Sequence, residues 1–289
     1  MMQHKVITVG EILWDVFPEG KKAGGSSMNV ALNLYKQGIN SRFISAIGDD
    51  KDGAELLNFL SNENFPSDLI QQNNLPTSTV TVKLDEKQQA TYTINEPVAW
   101  DNILPNTTIL DETANADAIV YCSLTCRNEQ SRNTILSLLA QAKLKIFDIN
   151  LRAPFYKPET LAILLEHADI LKVNDEELLI VKSLFNLSGN DNEQLLKQLS
   201  NQFNIATICL TLGDKGAQIL HEEKLYQHKG YAVKVADTVG AGDAFLATFV
   251  ASYLNGFPMD MVLDRACKVG SFVASQVGAN PHYNQTVFE

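Results

Sequence analysis

Short runs of β-branched and aliphatic residues alternate along the chain with longer segments in which apolar residues recur at helical spacing. Such runs predict strands, and the segments between them predict helices. The predicted strands are Lys5–Val9, Arg42–Ile47, Asp117–Ser123, Lys145–Asp148, Asp169–Val173 and Ile205–Thr211. The predicted helices are Ser26–Gln37, Gly53–Glu63, Ser131–Lys143, Glu159–His167, Asp175–Leu184 and Asn192–Phe203. This alternation is typical of βαβ units, so we predict an α/β fold with a doubly wound, mostly parallel sheet and helices on both faces.

Two stretches depart from this alternation. Ile12–Phe17 is strand-like and runs into a turn at residues 18–20, and Thr77–Leu84 and Gln88–Asn95 flank a charged turn. Alternating polar and apolar residues on both sides of such a turn predict a β-hairpin with one wet face. We therefore predict a small β-sheet lid from residues 11–23 and 76–97, beside one α/β domain from residues 1–10, 24–75 and 98–289. A surface hairpin without a function is the alternative.

Composition and charge narrow the classes of function. The chain has 289 residues with a formal net charge of −11, and no run of apolar residues is long enough for a membrane-spanning helix. A nucleic-acid partner is disfavoured because no basic face is visible, whereas backbone N–H groups can still bind a nucleotide's phosphates in an acidic protein. The first residues lack the sections of a signal peptide, so we expect a cytoplasmic protein. The spacing of the four cysteines fits neither a redox pair nor a zinc site, which predicts reduced, structural thiols.

The segment Asp237–Phe245 carries the clearest chemistry. It opens an apolar helix that ends near Gly256, and the small residues Gly240, Ala241 and Gly242 stand at its start. Unpaired N–H groups and the positive end of the helix dipole suit a phosphate that is being transferred. Asp243 would repel that phosphate, but it is well placed to accept a proton from an attacking hydroxyl.

Three other interpretations of this segment are open to comparison. Asp243 could be an ordinary capping residue on a glycine-rich helix start. A dinucleotide-binding fingerprint fits poorly, because it needs a small residue where Phe245 stands. A P-loop is absent, because the sequence contains no GxxxxGK[ST] element.

Four motifs in order resemble those of the ribokinase-like, or PfkB, carbohydrate kinases. They are residues 23–31 (AGGSSMNVA), 172–177 (KVNDEE), 211–217 (TLGDKGA) and 237–243 (DTVGAGD). The resemblance implies an ATP-dependent sugar kinase with that family's ribokinase-like fold, whose catalytic residues are Asp243, Gly240, Ala241 and Gly242. Asp243 is then the base, and the small residues beside it stabilise the transferring phosphoryl group.

The resemblance also implies binding residues. For the sugar they are Asp15, Gly24, Gly25, Asn29, Asn150 and Arg152. For ATP they are Asn174, Thr211, Gly213 and Asn280, the last beside an adenine pocket formed with a helix around residues 265–276. For Mg2+ they are Glu177 and, through water, Asn174, and a monovalent cation such as K+ would lie near Asp237.

The identity of the sugar is less constrained. Residues 148–152 (DINLR) resemble the Asp-x-Asn-x-Arg element of fructokinase-like members, which favours fructose. Ile149 stands where many relatives have proline, and Met28 is bulkier than usual, so that it would narrow the pocket if it faced the sugar. Arg152 could instead bind a carboxylate, as in a keto-deoxy sugar acid.

Ribose, a nucleoside and a catalytically silent sugar-binding regulator are further alternatives to fructose. The lid's apolar face predicts a homodimer through the lid, because exposed apolar sheet tends to be covered.

Overall fold

The computed structural model describes residues 4–18, 20–84, 90–283 and 287–288, with the side chains of residues 82–84 and 90–92 left out. The strands are β1 (Lys5–Val9), β2 (Leu13–Phe17), β3 (Gly20–Gly24), β4 (Asn40–Gly48), β5 (Ile70–Asn73), β6 (Ser78–Leu84), β7 (Ala90–Ile94), β8 (Ala118–Cys122), β9 (Lys145–Asp148), β10 (Ile170–Asn174), β11 (Thr207–Thr211), β12 (Ala217–His221) and β13 (Lys224–His228). The helices are α1 (Ser26–Lys36), α2 (Lys51–Asn62), α3 (Thr107–Ala114), α4 (Glu129–Leu139), α5 (Pro158–Glu166), α6 (Asp175–Leu184), α7 (Asn192–Phe203), α8 (Ala241–Leu254) and α9 (Met259–Ala274).

The main sheet has the order β13-β12-β11-β10-β9-β8-β1-β4-β5 within the described residues. The strands from β11 through β5 pair in parallel, and β12 and β13 extend the sheet in antiparallel fashion. Strand order reverses at β1, since the chain builds one side through β4 and then returns to the other through β8. In such sheets ligands bind beyond the carboxyl ends of the strands near the reversal. The predicted doubly wound α/β fold is confirmed.

Helices cover both faces of this sheet. Alternate side chains of β1 pack against the helices on opposite faces. Val6 belongs to a core cluster with α1, α8 and α9, whereas Ile7 belongs to a cluster with the helices α3 to α7. Side chains that alternate along a strand point to opposite faces, so a strand buried on both sides must be apolar throughout. This explains why these strands show continuous apolar runs rather than alternation.

The smaller sheet has the order β3-β2-β6-β7, in which β2 runs parallel to β6 and β6 pairs antiparallel with β7. Strand β3 is an addition to the prediction, which had ended the first lid segment before Gly24. The predicted turn after Leu84 and the start of the second hairpin strand lie outside the described residues, as does Glu19. Ile12 and Trp14 are buried against α1 and α2. No large hydrophobic side chain described in the lid segments is strongly exposed, and the homodimer through the lid stays a prediction.

The N-cap of α1 is Gly25, which has no side chain with which to cap the helix. Two sequence interpretations are corrected. Met28 does not face a sugar, because it is fully buried in the cluster between α1, α2 and the lid. The helix predicted over residues 265–276 begins earlier, at Met259, where Pro258 sets the N-cap.

Elements that the sequence did not signal are α3, β5 and the antiparallel pair β12 and β13. The four cysteines are free and buried. Among the described helices, none combines the length and the apolar character that crossing a membrane requires.

Candidate active site

Asp243 lies in the first turn of α8, where two side chains of α1 hold its carboxylate. Ser26 Oγ donates to Oδ1 at 2.6 Å, and Asn29 Nδ2 donates to Oδ2 at 2.8 Å. Asp243 is the third residue of α8, and the N-cap Gly240 makes no side-chain capping hydrogen bond. The carboxylate is therefore tied to a neighbouring helix, 214 residues or more away along the chain, and does not act as the helix's own cap.

The start of α8 presents unpaired backbone donors beside this carboxylate. Ala241 N–H reaches Thr238 O at 3.3 Å, and no partner is found within the described residues for the N–H groups of Gly242 and Asp243. Gly240 has φ +77°, and a Cβ there would lie 2.5 Å from Ala279 Cβ. Only glycine fits both the left-handed backbone and this close approach. The chain thus leaves a small anion-binding turn open at the positive end of an apolar helix.

The pKa of Asp243 is shifted in the direction that suits a base. Burial raises the pKa above the ordinary value for aspartate, while the Ser26 hydroxyl, the charge of Lys172 and the Asn29 amide oppose this rise. A carboxylate with a raised pKa binds a proton more tightly than an exposed one. The site can therefore accept a proton from a hydroxyl brought against Asp243.

Lys172 and Asp148 form a buried ion pair under the same turn. Lys172 Nζ donates to Asp148 Oδ1 at 3.0 Å, with side chains 8% and 3% exposed. A Cβ on Gly242 would lie 3.4 Å from Lys172 Nζ, so the ammonium packs directly against the anion-binding turn. Burial raises the pKa of Asp148 to about 6 against the opposing charge of Lys172. Burial lowers the pKa of Lys172, but the charges of Asp148, Glu177 and Asp243 outweigh it and raise the pKa.

Sequence reasoning missed this pair and Ser26 as site residues. A lysine inside an apolar strand at residues 170–174 was the available signal, because a charged side chain is rarely buried without a partner. Asp148 opens the DINLR element, in which only Asn150 and Arg152 were predicted to bind the sugar.

Three of the residues predicted to bind the sugar, Asp15, Gly24 and Gly25, lie close together where β2 and β3 meet the start of α1. Asp15 of β2 pairs with Lys22 of β3, and a Cβ on Gly24 would lie 2.3 Å from Asp15 Oδ2. Burial raises the pKa of Asp15 to about 6, with the Lys22 charge acting against it. Gly25 has φ +112°, and a Cβ there would lie 2.5 Å from Glu11 O. The lid strand, its carboxylate and the start of α1 therefore meet at one place.

Asn280, which was predicted to lie beside an adenine pocket, is hydrogen-bonded to two side chains of α1. Its Nδ2 donates to Asn29 Oδ1 at 2.7 Å, and its Oδ1 accepts from Asn33 Nδ2 at 3.3 Å. Tyr283 in turn donates to Asn33 Oδ1. This chain of amides reaches Asp243 through Asn29, so Asn280 is linked to that carboxylate from the α1 side.

Asn150 and Arg152 follow β9 at the carboxyl edge of the sheet. Asn150 is buried with φ +40°, and its carbonyl accepts from Ser123 Oγ at 3.4 Å. Asparagine tolerates this left-handed backbone better than most residues. Arg152 is exposed, and its Nη1 donates to Leu151 O at 2.9 Å. Of the two, Asn150 is fixed by the fold and Arg152 is free to contact a ligand.

Asn174 and Glu177 form a capping box at the start of α6. Asn174 Oδ1 accepts from Glu177 N–H at 2.8 Å, and Glu177 Oε2 accepts from Asn174 N–H at 2.9 Å. Glu177 Oε1 also accepts from Leu151 N–H at 2.9 Å, which ties the β9 loop to α6. No cluster of three or more potential metal ligands occurs within the described residues. Because both carboxylate oxygens of Glu177 already accept backbone N–H groups, a magnesium ion that keeps its waters fits this place better than one held directly by protein.

The other residues predicted to bind ATP or a monovalent cation lie in neighbouring turns. Thr211 ends β11 and is register partner of Asn174 at the end of β10. Gly213 has φ +59° and opens a short 3-10 helix. Asp237 Oδ1 accepts from Val239 N–H at 3.0 Å and Oδ2 from Gly278 N–H at 3.1 Å, so it joins the loop before α8 to the loop after α9.

Comparisons with known proteins agree with this geometry. The family model described as pfkB family carbohydrate kinase matches residues 6–286. A fructokinase of Salmonella typhimurium is 28% identical over 276 residues, which cover 90% of this chain and 88% of the relative. The crystal structure of a Vibrio cholerae fructokinase with fructose, ADP and a calcium ion bound is 26% identical and superposes with a TM-score of 0.82 over 99% of this chain and 98% of that one.

One further structure shows the fold alone. It is the 2-dehydro-3-deoxygluconokinase of Thermotoga maritima, which is 17% identical and has a TM-score of 0.84 over 96% of this chain and 94% of that one. A similar fold thus occurs in a kinase named for a different sugar.

Proposed function

Because this chain belongs to the pfkB family of carbohydrate kinases and is therefore a sugar phosphotransferase, we propose that it transfers the γ-phosphate of ATP to a hydroxyl of fructose. The observation that carries the chemistry is Asp243, a buried carboxylate held by Ser26 and Asn29 beside the unpaired N–H groups of α8. The acceptor is proposed from the fructokinases among its relatives and from the DINLR segment at the sheet edge.

The proposed reaction combines a proton transfer to Asp243 with the transfer of a phosphoryl group to the sugar. Asp243 takes the proton of the acceptor hydroxyl as the hydroxyl oxygen attacks the γ-phosphorus of ATP. The bond from that phosphorus to the β–γ bridging oxygen breaks, so the products are a sugar phosphate and ADP. The raised pKa of Asp243 favours the proton's arrival there.

Charge on the transferring group is stabilised by the chain's own donors. The N–H groups of Gly242 and Asp243 point from the start of α8, and Lys172 brings a positive charge against Gly242. Fixed donors in a site that excludes water stabilise developing charge without reorganising. We assign Lys172 to this role beside Gly240, Ala241 and Gly242.

Divalent and monovalent cations belong to the proposal at different places. A magnesium ion supplied with ATP neutralises phosphate charge and would be held through water near Asn174 and Glu177. A potassium ion near Asp237 is a second, separable part of the proposal. Replacing K+ in the assay by a large organic cation, at constant Mg2+, tests that part alone.

The lid is proposed to close over the sugar. Asp15 would accept hydrogen bonds from neighbouring sugar hydroxyls, while Gly24, Gly25 and Asn29 line the start of α1 below it. Closure of the lid segments 11–23 and 76–97 would exclude water and limit hydrolysis of ATP. The homodimer through this lid stays a prediction, and light scattering coupled to gel filtration tests it.

One alternative acceptor has a specific observation in its favour. Arg152 is exposed at the sheet edge and could bind the carboxylate of a keto-deoxy sugar acid. A kinase for that sugar class shares the fold. Ribose has weaker support. A sugar-binding regulator without catalysis is disfavoured, because it would not need a buried base beside an open anion-binding turn.

An acceptor panel tests the proposal. ADP release is measured with fructose, ribose, 2-keto-3-deoxygluconate, glucose, tagatose and adenosine, with Arg152→Ala run alongside. Fructose is expected to give the highest kcat/KM, and Arg152→Ala should then lower it only modestly. A higher kcat/KM for the sugar acid, lost in Arg152→Ala, would replace fructose by that acceptor. Measurable sugar binding with no turnover on any acceptor would favour the regulator.

A further inference from the structure

Glu11 is a buried carboxylate to which the proposed reaction assigns no task. It follows β1 and is 1% exposed. Its Oε1 accepts from Ser27 N–H at 3.3 Å, and its Oε2 accepts from Ser27 Oγ at 3.0 Å, Thr125 Oγ1 at 2.9 Å and Cys122 Sγ at 3.1 Å. None of these donors is charged. A carboxylate is costly to bury without a cation, which suggests that this position needs its shape and charge.

One of these bonds supplies the cap that α1 lacks. The N-cap Gly25 has no side chain, and the Ser26 hydroxyl is occupied by Asp243. Glu11 therefore accepts from the first-turn N–H of Ser27 from outside the helix, in place of a capping side chain. The backbone of Glu11 also packs directly on Gly25, where a Cβ would lie 2.5 Å from Glu11 O.

The helix start fixed in this way carries the two groups that hold the base. Ser26 precedes the anchored Ser27, and Asn29 follows two residues later. Both donate to Asp243, at 2.6 and 2.8 Å. A shift or a rotation of the first turn of α1 would move both donors together. The anchoring of Ser27 is thus transmitted to the carboxylate of Asp243.

The charge of Glu11 reaches Asp243 as well. Burial is the largest cause of the raised pKa of Asp243, and the negative charge of Glu11 adds to that rise. Ser26, Lys172 and Asn29 act in the opposite direction. Glu11 and Lys172 of β10 act on the carboxylate of Asp243 directly. Asp148 of β9 and Glu177 of α6 act on Lys172.

We propose, on the premise that Asp243 is the catalytic base, that Glu11 is its positioning residue. It anchors the start of α1 so that Ser26 and Asn29 hold Asp243 in place, and it adds negative potential at that carboxylate. Glu11 touches neither the sugar nor ATP in this account and acts through α1 and through space.

Glu11→Gln tests both parts of the proposal. The amide keeps the size but loses the charge, and its NH2 group cannot accept from the hydroxyl and thiol donors. We expect kcat to fall by about 10- to 100-fold, because small displacements of a catalytic group are costly. The acid limb of the kcat-versus-pH profile should move to lower pH, since removing a negative neighbour lowers the pKa of Asp243 and a base acts when deprotonated.

Glu11→Asp separates charge from position. It keeps the negative charge but shortens the reach to Ser27, so kcat should fall while the acid limb stays near that of the wild type. Thr134→Val is the matched structural control, because it removes a buried hydroxyl that bonds Ile103 O at 2.7 Å and Gln130 O at 3.2 Å and has no bond to the site. Hydrogen exchange of the Ser27 and Asn29 amides should accelerate in both Glu11 variants and not in the control.

The outcomes separate this inference from its premise. Wild-type kcat and pH profile in Glu11→Gln, with unchanged hydrogen exchange, would overturn the inference. If Glu11→Gln does not fold, Glu11→Asp decides alone, and an unchanged kcat with unchanged exchange would overturn it. An active Asp243→Asn variant would instead defeat the premise that Asp243 is the base. An inactive Asp243→Asn beside an unaffected Glu11→Gln would remove only the role of Glu11.

Discussion

Replacing Lys172 by methionine should destabilise the protein strongly, because it leaves a buried carboxylate without its cation. Methionine has nearly the length of lysine and no charge, so the packing around β10 is largely kept. Asp148 is 3% exposed, and among the described residues its Oδ1 bonds only Lys172 Nζ, at 3.0 Å, while its Oδ2 has no hydrogen-bond partner. The substitution therefore removes the main interaction that offsets the burial of this charge.

The expected loss follows from how buried pairs behave. Removing one partner of a buried ion pair costs about 3–5 kcal/mol, whereas replacing both partners is often close to neutral. Loss of Lys172 would raise the pKa of Asp148 further above its present value of about 6. A group whose pKa is raised by folding destabilises the folded state as pH rises through the unfolded pKa and beyond. The loss should therefore be small near pH 5, where Asp148 takes up a proton, and should grow as pH rises to 8.

Urea unfolding of four proteins measures this loss of folding free energy. They are the wild type, Lys172→Met, Asp148→Asn and the double variant, each compared near pH 8 and near pH 5. The double variant should recover most of the stability that Lys172→Met loses, yet its kcat should stay low, because the charge beside Gly242 is still missing. A loss below about 1 kcal/mol for Lys172→Met, typical of exposed pairs, would refute the reasoning. An equal loss in the presence of Asp148→Asn would refute it as well.

Three further predictions concern the sugar side and the anion-binding turn. The KM for the sugar should rise as pH falls below about 6, where Asp15 takes up a proton and accepts fewer hydrogen bonds. The KM of the Asp15→Asn variant should be high at every pH. A wild-type KM that does not vary with pH would contradict this prediction. Gly240→Ala should lower kcat/KM for ATP by at least about tenfold, because its Cβ would meet Ala279 and its backbone is left-handed; kinetics within twofold of the wild type would contradict it. Met28→Leu should leave the order of preference among acceptors unchanged, since Met28 is a core residue. It should lower the free energy of unfolding by less than about 1.5 kcal/mol. A changed order of preference would show that Met28 does contribute to the sugar pocket.

Much of the fold could be predicted because hydrophobic periodicity reports burial directly. The buried strands of the main sheet show apolar runs, and the glycines at the start of α8 mark a backbone that other groups approach closely. The pair of β12 and β13 escaped prediction, because an antiparallel edge with a polar outer face resembles a loop in sequence. The lid strand β3 was missed because Gly20, Lys21 and Lys22 have little apolar character.

Sequence patterns identified some of the candidate site residues but not the contacts between them. A motif shows which residue types stand at the ends of strands and helices, so Asp243 and the Asn174–Glu177 pair could be named in advance. The partner of a polar group cannot be read from the chain when that partner lies two hundred residues away. Ser26 with Asp243 is one such contact. Met28 was misjudged for a related reason, because its position beside sugar-side residues says nothing about which face of α1 it occupies.

Asp243→Asn tests the central claim most directly. Asparagine keeps the size of aspartate and one accepting oxygen, so ATP and the sugar should still bind, as calorimetry can measure. With the best acceptor of the panel, ADP release should fall by about 10²- to 10⁴-fold, which is the usual contribution of a general base. Turnover within tenfold of the wild type, with binding intact, would contradict the assignment of Asp243 as the group that accepts the proton.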